Sequence, residues 1–155
     1  MVGQHPALHP LGDVGLHVSL TDAIASALPE LRAHAESLMV DACTVTRASS
    51  GAPVVDNNNG TVTPAAPRTI YSGPCRVQAP DAVEKAAEAG GDALSVQAAI
   101  ISLPVAGSEA VAVGDVVTVT SATFDADLAG VDYVVRGLHR KSHATARRLR
   151  CEEAN

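Results

Sequence analysis

Apolar side chains recur at helical spacing in the first third of the chain. They stand three or four positions apart, at Ile24, Leu28, Leu31, Ala35, Leu38 and Ala42. This spacing predicts one amphipathic α-helix. Ser19 or Thr21 can cap it, because side-chain hydroxyls accept hydrogen bonds from the first free N–H groups. Asp22 suits the first turn, and Pro29 predicts a kink or a restart. The solvated face is expected to carry Arg32, His34, Glu36 and Asp41.

From Cys43 onward the pattern becomes that of β-strands. Short runs rich in β-branched residues alternate with turns that contain Gly, Pro or Asn; the runs are CTVTR, RTIYSGPCRVQ, LSVQAAIISLPV, VGDVVTVTSA, DYVVRGLHRK and ATARRLRCEE. We expect two strand pieces around Gly73–Pro74, a type I′ turn at Asn59–Gly60 and a final hairpin turning near 142–144. One helix followed by about six strands predicts a mainly β (α+β) fold, a small β-barrel with long inter-strand loops.

Two segments fit neither pattern. Residues 1–18 contain Pro6 and Pro10 without any periodicity, and we expect an extended N-terminal arm there. Residues 19–155 are then expected to form a single helix-plus-barrel domain. The segment 79–93 is rich in Ala and Glu and bounded by Pro80 and Gly90–Gly91, which predicts a mobile insertion between two strands.

Composition limits the class of protein. The 155 residues are 46% hydrophobic but only 2% aromatic, so the core must consist of Val, Leu, Ile and Ala. These side chains bury less area than aromatic rings, and association with partners is therefore expected to add stability. The 3 cysteines contain no CxxC pair and are predicted to be reduced core residues. No apolar run reaches the roughly 20 residues of a membrane span, so we expect a soluble protein made in a cytoplasm.

Metal-binding and catalytic motifs are incomplete. Asp125, Asp127 and Gly130 match the first, third and sixth positions of a calcium loop, but Ala129 and Arg136 stand where further ligands belong. The histidine pair in HRKSH has zinc-like spacing without a second pair of ligands. No nucleophile elbow, phosphate-binding loop or HExxH is present. We therefore expect no catalytic residue, no metal and no cofactor.

Positive charge is concentrated near the end of a chain whose net charge is −6. More than half of its 11 Lys and Arg residues lie in RGLHRKSHATARRLR: Arg136, Arg140, Lys141, Arg147, Arg148 and Arg150. Strand alternation predicts that Arg136, Leu138 and Arg140 share one face. Contacts with carboxylates of a partner or neighbouring subunit are the favoured use; DNA contact and a solvated face are the alternatives. The acidic pI of about 5.4 disfavours a free DNA binder.

The order of these segments resembles a known family. A helix followed by TIYSGPCRVQ, LPVAGSEAVAVGDVVTVTSATFDADLAG and YVVRGLHRKSHATARRLRCEE is similar to the head-closure proteins of long-tailed bacteriophages, in particular the head-to-tail stoppers of actinobacteriophages. The resemblance covers about 19–153 and rests on pattern. It implies a small barrel-plus-helix subunit that forms a homo-oligomeric ring, six-fold or alternatively twelve-fold. The ring would lie in the virion neck, below the portal and adaptor rings and above the tail terminator, after assembly in the host cytoplasm.

The same resemblance implies a loop that projects toward the channel axis and retains packaged double-stranded DNA without sequence specificity. The candidate gating loop contains Asp81, Val83, Glu84, Lys85, Glu88, Gly90, Gly91 and Asp92. The loop 49–67 is the second candidate. Acidic residues repel phosphates, so such a gate would act by steric closure. The acidic loop and the basic cluster would be the two complementary surfaces that a ring subunit needs.

Other classes of function remain open. A small nucleic-acid-binding barrel would use the terminal hairpin as its footprint and would show salt-dependent DNA affinity. Another phage tail protein, of the terminator or tube type, shares most of these features. An enzyme is least favoured, and a deep pocket with convergent titratable groups would be its sign.

Overall fold

The structure is a computed structural model, and it describes Gly3, residues 19–80 and residues 97–154. The arm expected over residues 1–18 lies outside these ranges apart from Gly3. The candidate gating loop lies outside them as well, with all of its residues: Asp81, Val83, Glu84, Lys85, Glu88, Gly90, Gly91 and Asp92. Both therefore stay predictions.

A single helix, α1, spans Leu20–Ser37 and precedes the strands. Ser19 is its N-cap, and the Ser19 hydroxyl accepts a hydrogen bond from the Asp22 N–H at 3.1 Å. The helix continues through Pro29, so the predicted restart does not occur. It ends before Asp41 and Ala42, which belong to the first strand; the helical spacing of Ala42 was coincidental. No described helix is both long and apolar enough to cross a membrane.

The strands are β1 Asp41–Arg47, β2 Val54–Val55, β3 Val62–Thr63, β4 Arg68–Gln78, β5 Ala98–Leu103, β6 Val116–Ser121, β7 Asp132–His139 and β8 Arg147–Glu153. Six of them close an antiparallel barrel in the order β1-β4-β5-β8-β7-β6, and β6 pairs with β1. β2 and β3 form a separate ribbon within the loop 49–67. The predicted fold class, mainly β with an N-terminal helix and a small barrel, is confirmed.

Alternate residues of each barrel strand fill the interior, as the two-residue period of a strand requires. The buried core consists of Cys43, Val45, Tyr71, Cys75, Ala99, Ile101, Leu103, Val111, Val117, Val119, Tyr133, Val135, Leu149 and Cys151. All 3 cysteines are free and buried, which confirms their prediction as core residues. The interior of so narrow a barrel is a packed core of side chains and leaves no room for a channel.

β4 is one strand, and the prediction of two pieces around Gly73–Pro74 is wrong. β5 pairs with β4 only at Arg76–Gln78, so the earlier part of β4 has a single neighbour, β1. Proline is tolerated where a strand has no second partner for its missing N–H. The Tyr71 hydroxyl donates to the Pro74 carbonyl at 2.7 Å and would lie 2.8 Å from a Cβ at Gly73. Glycine is thus the residue that leaves space for this ring.

The turn between β2 and β3 is also wider than predicted. A type I′ turn needs a positive φ at both central residues. Gly60 has a φ of 73°, but no non-glycine residue described has a positive φ, and this includes Asn59. The Gly60 N–H donates to the Asp56 carbonyl at 2.8 Å, and the Asn59 side chain accepts from the Thr61 N–H at 2.9 Å. Side-chain capping by Asn therefore replaces the tight turn.

Different loops cover the two ends of the barrel. We call the upper end the one where β7 finishes at His139 and β8 begins at Arg147. A loop from Pro104 to Asp115 closes it, with Val111 buried against the core. The lower end carries the β6–β7 loop, which contains Phe124 and a short 3-10 helix, Ala126–Leu128. Asp125 accepts a hydrogen bond from the Asp127 N–H at 3.2 Å there, as in an ordinary capped turn.

Candidate basic interface at the β7–β8 turn

The β7–β8 hairpin spreads the predicted basic cluster over different faces. A β-bulge between Val135 and Gly137 adds one residue to β7. Such an extra residue reverses the alternation that follows it. Leu138 therefore points inward and packs against the core, while Arg136 stays outside, where its Nε donates to Glu152 Oε2 at 2.7 Å. The prediction that Arg136 and Leu138 share a face is wrong for this reason.

The β8 arginines divide in the same way. Leu149 and Cys151 are fully buried, so Arg148 and Arg150 lie on the outer surface of the barrel. The register partners of Arg148 are Ser102 of β5 and His139 of β7. Those of Arg150 are Ile100 and Gly137, further from the β7–β8 turn. These two side chains, like Arg136, therefore lie on the outer wall of the barrel.

Arg147 is held at the upper end by the loop that closes the barrel. Its Nε donates to the Ser108 hydroxyl at 3.1 Å, and the buried Ser108 hydroxyl in turn donates to the Pro104 carbonyl. The carboxylate of Glu109 accepts hydrogen bonds from its own N–H and from that of Gly107, which lower its pKa; the charge of Arg147 lowers it further. Arg147 is thus a positioned, partly buried cation.

A shallow groove of about 340 Å³ lies between α1 and the β7–β8 turn. Its lining residues are Arg32, Val105, His139, Arg140, Lys141, Ser142, Ala144 and Arg147. We call it the basic groove. It contains Arg140, Lys141 and Arg147 from the predicted cluster, and it leaves out Arg136, Arg148 and Arg150.

Arg32 is the groove residue that sequence reasoning missed. It was assigned to the solvated face, but its Nε donates to the Ala144 carbonyl at 3.0 Å and the side chain is half-buried. The face of α1 turned toward the barrel is marked by half-buried Ile24, Leu28, Arg32, Ala35 and Glu36. This face is rotated from the predicted apolar stripe, so Leu31 and Leu38 are left exposed. No local pattern reveals which side of a helix the barrel will meet.

The groove can recognise an anion. Guanidinium and ammonium groups bind carboxylates or phosphates through charge-assisted hydrogen bonds. The ion pairs among the described residues are Arg47–Asp115 and Arg136–Glu152, so Arg140 and Lys141 are not neutralised by such a pair. Glu109 is the acidic residue that acts on Arg147 from nearby. Within the described ranges, no group of His, Cys, Asp and Glu side chains is placed to hold a metal ion.

Fold and surface thus define a small closed β-barrel protein with an attached helix and one basic groove. The chain belongs to a family of unknown function, DUF6093, whose profile matches residues 31–152. No curated protein matches it. Among solved structures it is similar to the solution structure of protein SF1141 from Shigella flexneri 2a, with 14% identity and a TM-score of 0.51. That match covers 74% of this chain and 92% of the other, and it shows a shared fold alone.

Two of the core thiols, those of Cys43 and Cys151, are held in the neutral form. A hydrogen bond with Cys75 and burial raise the pKa of Cys43, and burial raises the pKa of Cys151 to about 12. Nucleophilic chemistry requires the thiolate, which these positions disfavour. The thiols therefore act as packing groups at neutral pH.

We expect Ellman's reagent at pH 8 to react with Cys151 at least about a thousandfold more slowly in the native protein than in urea, as the raised pKa implies. Because the folded pKa is raised, the contribution of the neutral thiols to stability is complete below the unfolded pKa of about 8.5. It is lost as the pH rises toward the folded value. Equal reaction rates in the native and unfolded protein would contradict this account.

Proposed function

We propose that this protein is a structural virion protein of a bacteriophage head–tail connector. Its copies form a ring below the portal and adaptor rings, close the DNA channel and provide the docking surface for the tail. Its partners are further copies of itself, the adaptor or portal above, the tail terminator below and packaged DNA in the channel. It has no enzymatic role.

The observation that carries this proposal is the incompletely covered helix. α1 has 18 residues, and none of them is buried. Leu20 is 77% exposed and Leu31 is 52% exposed, although both are large apolar side chains. A gap of about 240 Å³ remains between the second half of the helix and the barrel. Helices in proteins are stabilised mainly by burying an apolar face, so this one suits a subunit whose neighbours complete its packing.

Two further features support the proposal. The barrel with one N-terminal helix agrees with the subunit architecture that the sequence resemblance implies. The ribbon β2–β3 in the loop 49–67 leaves Val54, Val55 and Val62 exposed, and a two-stranded ribbon has little stability of its own. It is therefore another surface that a neighbour would cover. The gating role of the acidic loop from Asp81 to Asp92 rests on sequence alone.

The basic groove also favours a second candidate, a nucleic-acid-binding barrel. Its cations can contact phosphates, and such binding would weaken steeply with salt because counterions are released. The affinity for labelled duplex DNA, measured by fluorescence anisotropy, tests this candidate. The salt concentration should be varied from about 50 to about 200 mM, the range over which binding through phosphate contacts weakens strongly. Salt-dependent binding by the isolated chain, without any effect on phage particles, would favour this candidate over the connector.

The connector role is tested by complementation in vitro. Filled heads and free tails from a phage that lacks the gene are mixed with purified protein, and infectivity is counted. We expect the wild type to restore infectivity. The variant Leu20→Glu/Leu31→Glu should lower the yield at least about tenfold, because charge on the exposed apolar face opposes burial by a neighbour.

The control is Ala33→Glu, which adds one negative charge at an exposed helix position away from that face. It should complement as the wild type does. Glu is a good helix former, so circular dichroism should show the helix intact in both variants. A wild-type protein that leaves the infectivity of the mixture unchanged, or that is missing from purified virions, would overturn the proposal.

A further inference from the structure

The β6–β7 loop at the lower end of the barrel presents an exposed aromatic ring next to two exposed carboxylates. Phe124, the single phenylalanine of the chain, is 86% exposed. Asp125 and Asp127 beside it are also exposed. We call residues 123–128 the acidic tip. An exposed ring of this size costs solvation free energy that burial in an interface would recover.

The acidic tip is held in one conformation by the barrel. The Thr123 N–H donates to Asp41 Oδ1 at 2.9 Å, and the Thr123 hydroxyl donates to the Val40 carbonyl. Asp125 caps the short 3-10 helix, and Leu128 packs against the core. A segment ordered before binding loses little conformational entropy on association, which is what an interface element needs.

We propose that the acidic tip of one copy docks into the basic groove of a neighbouring copy of the same chain. The groove is concave and cationic, with Arg140, Lys141 and Arg147 around Val105. The tip is exposed and offers carboxylates for those cations and a ring for the apolar side chain of Val105. Arginine also stacks on aromatic faces, and Arg with aromatic residues is enriched at the energetic centres of interfaces.

The two surfaces cannot meet within one molecule. β7 runs from the acidic tip side at Asp132 to the groove at His139, a length of 8 residues. At about 3.3 Å per residue this separates them by roughly 26 Å. A contact between different surfaces of identical chains is heterologous, and it repeats until a ring closes or a filament grows. The inference rests on the proposed function in that it names the subunit contact of the proposed ring.

Charge favours a second copy over DNA as the occupant. The chain has a net charge of −6, which opposes a DNA duplex, with one negative charge about every 1.7 Å, more strongly than it opposes a second copy of the chain. Stacking on DNA bases is strongest on the rings of Phe, Tyr and Trp, and none of the residues that line the groove is one of these three. The acidic tip supplies both the charge and the apolar group that the groove accepts.

A charge swap tests the contact. The tip variant is Asp125→Lys/Asp127→Lys, and the groove variant is Arg140→Glu/Lys141→Glu. The wild type should associate in analytical ultracentrifugation at low salt, at concentrations up to about 1 mM. Each variant alone should associate at least about tenfold more weakly, because like charges then face each other. An equimolar mixture of the two should associate again, since the basic tip fits the acidic groove and the acidic tip fits the basic one.

The control variants Glu30→Lys on α1 and Arg68→Glu at the start of β4 make the same kinds of reversal at exposed positions outside the tip, the groove and the ribbon, and both should associate as the wild type does. A monomeric wild type throughout the range, variants that associate normally, or a mixture that stays dissociated would each overturn the contact. Phosphate would be the occupant of the groove if the wild type binds duplex DNA, the groove variant does not, and the mixture of tip and groove variants stays dissociated. Complementation of phage particles is a separate readout, so failure of this contact is distinguishable from failure of the connector role.

Discussion

Replacing Leu149 by Ala is expected to lower the free energy of unfolding by about 3 kcal/mol. Leu149 is 0% exposed, and its register partners are Ile101 on β5 and Leu138 on β7. The cost combines the lost transfer free energy of the side chain with that of the cavity left behind. β8 is hydrogen-bonded to β5 on one side and to β7 on the other, so it cannot move inward to fill the space.

Urea unfolding followed by far-ultraviolet circular dichroism checks this prediction. The comparison holds if the variant keeps the wild-type m value, the slope of the unfolding free energy against urea concentration. Val54→Ala on the ribbon is the matched control, because Val54 is 68% exposed and its truncation should change stability by less than about 0.5 kcal/mol. A loss of less than about 1 kcal/mol in Leu149→Ala would mean that the barrel interior can collapse onto the cavity.

The second large effect is expected at Asp115, a carboxylate only 1% exposed at the upper end of the barrel. Arg47 Nε donates to its Oδ1 at 2.6 Å and Arg47 Nη2 to its Oδ2 at 2.9 Å, while the Ala112 N–H donates to Oδ2 at 2.8 Å. In Asp115→Asn, one of the two accepting oxygens is replaced by an NH₂ group, which faces N–H donors of Arg47 and Ala112 and cannot accept from them. We expect a loss of about 2–4 kcal/mol at pH 7, by urea unfolding.

The pH dependence separates this ion pair from simple packing. Burial by itself raises the pKa of Asp115, but hydrogen bonds from Arg47 and the Ala112 N–H, with the Arg47 charge, outweigh it, so the net pKa is lowered. A lowered folded pKa adds stability that is present above the unfolded pKa of about 3.9 and lost as the pH falls through the folded pKa. The difference between wild type and Asp115→Asn should therefore shrink below about pH 4. Asp56→Asn, at an exposed carboxylate, is the control and should change the free energy of unfolding by less than about 0.5 kcal/mol at pH 7. A difference between wild type and Asp115→Asn that is independent of pH would contradict the mechanism.

Much of the fold was predictable because its signals are local. The helix cap at Ser19, the strand runs and the hairpin between β7 and β8 depend on neighbours in sequence, and they stand where the pattern placed them. Two of the failures lie where a distant neighbour decides. β4 continues through Pro74 because β5 does not pair with that part of the strand, which has β1 as its single neighbour. In β7, the bulge turns Leu138 inward. Neither event has a signature in the residues that undergo it.

The candidate site divides in the same manner. The concentration of cations near the C-terminus was visible in the sequence, and Arg140, Lys141 and Arg147 do line one groove. Arg32 lines the same groove because α1 packs beside the β7–β8 turn, where Arg32 contacts Ala144, 112 positions away in the chain. The acidic tip was considered in the sequence only as an incomplete calcium loop, because its exposure and its place at the opposite barrel end are not local properties.

By itself the sequence determined the class of fold, the buried strands and the free cysteines of the core, since hydrophobic periodicity and residue size act over a few neighbouring positions. Only the tertiary structure decided which face of α1 meets the barrel, which arginines share a groove and which pair elsewhere. These outcomes depend on strand register and on the closure of the barrel, where a single bulge reverses a face. Contacts between residues far apart in the chain carry that information, and a one-dimensional pattern does not.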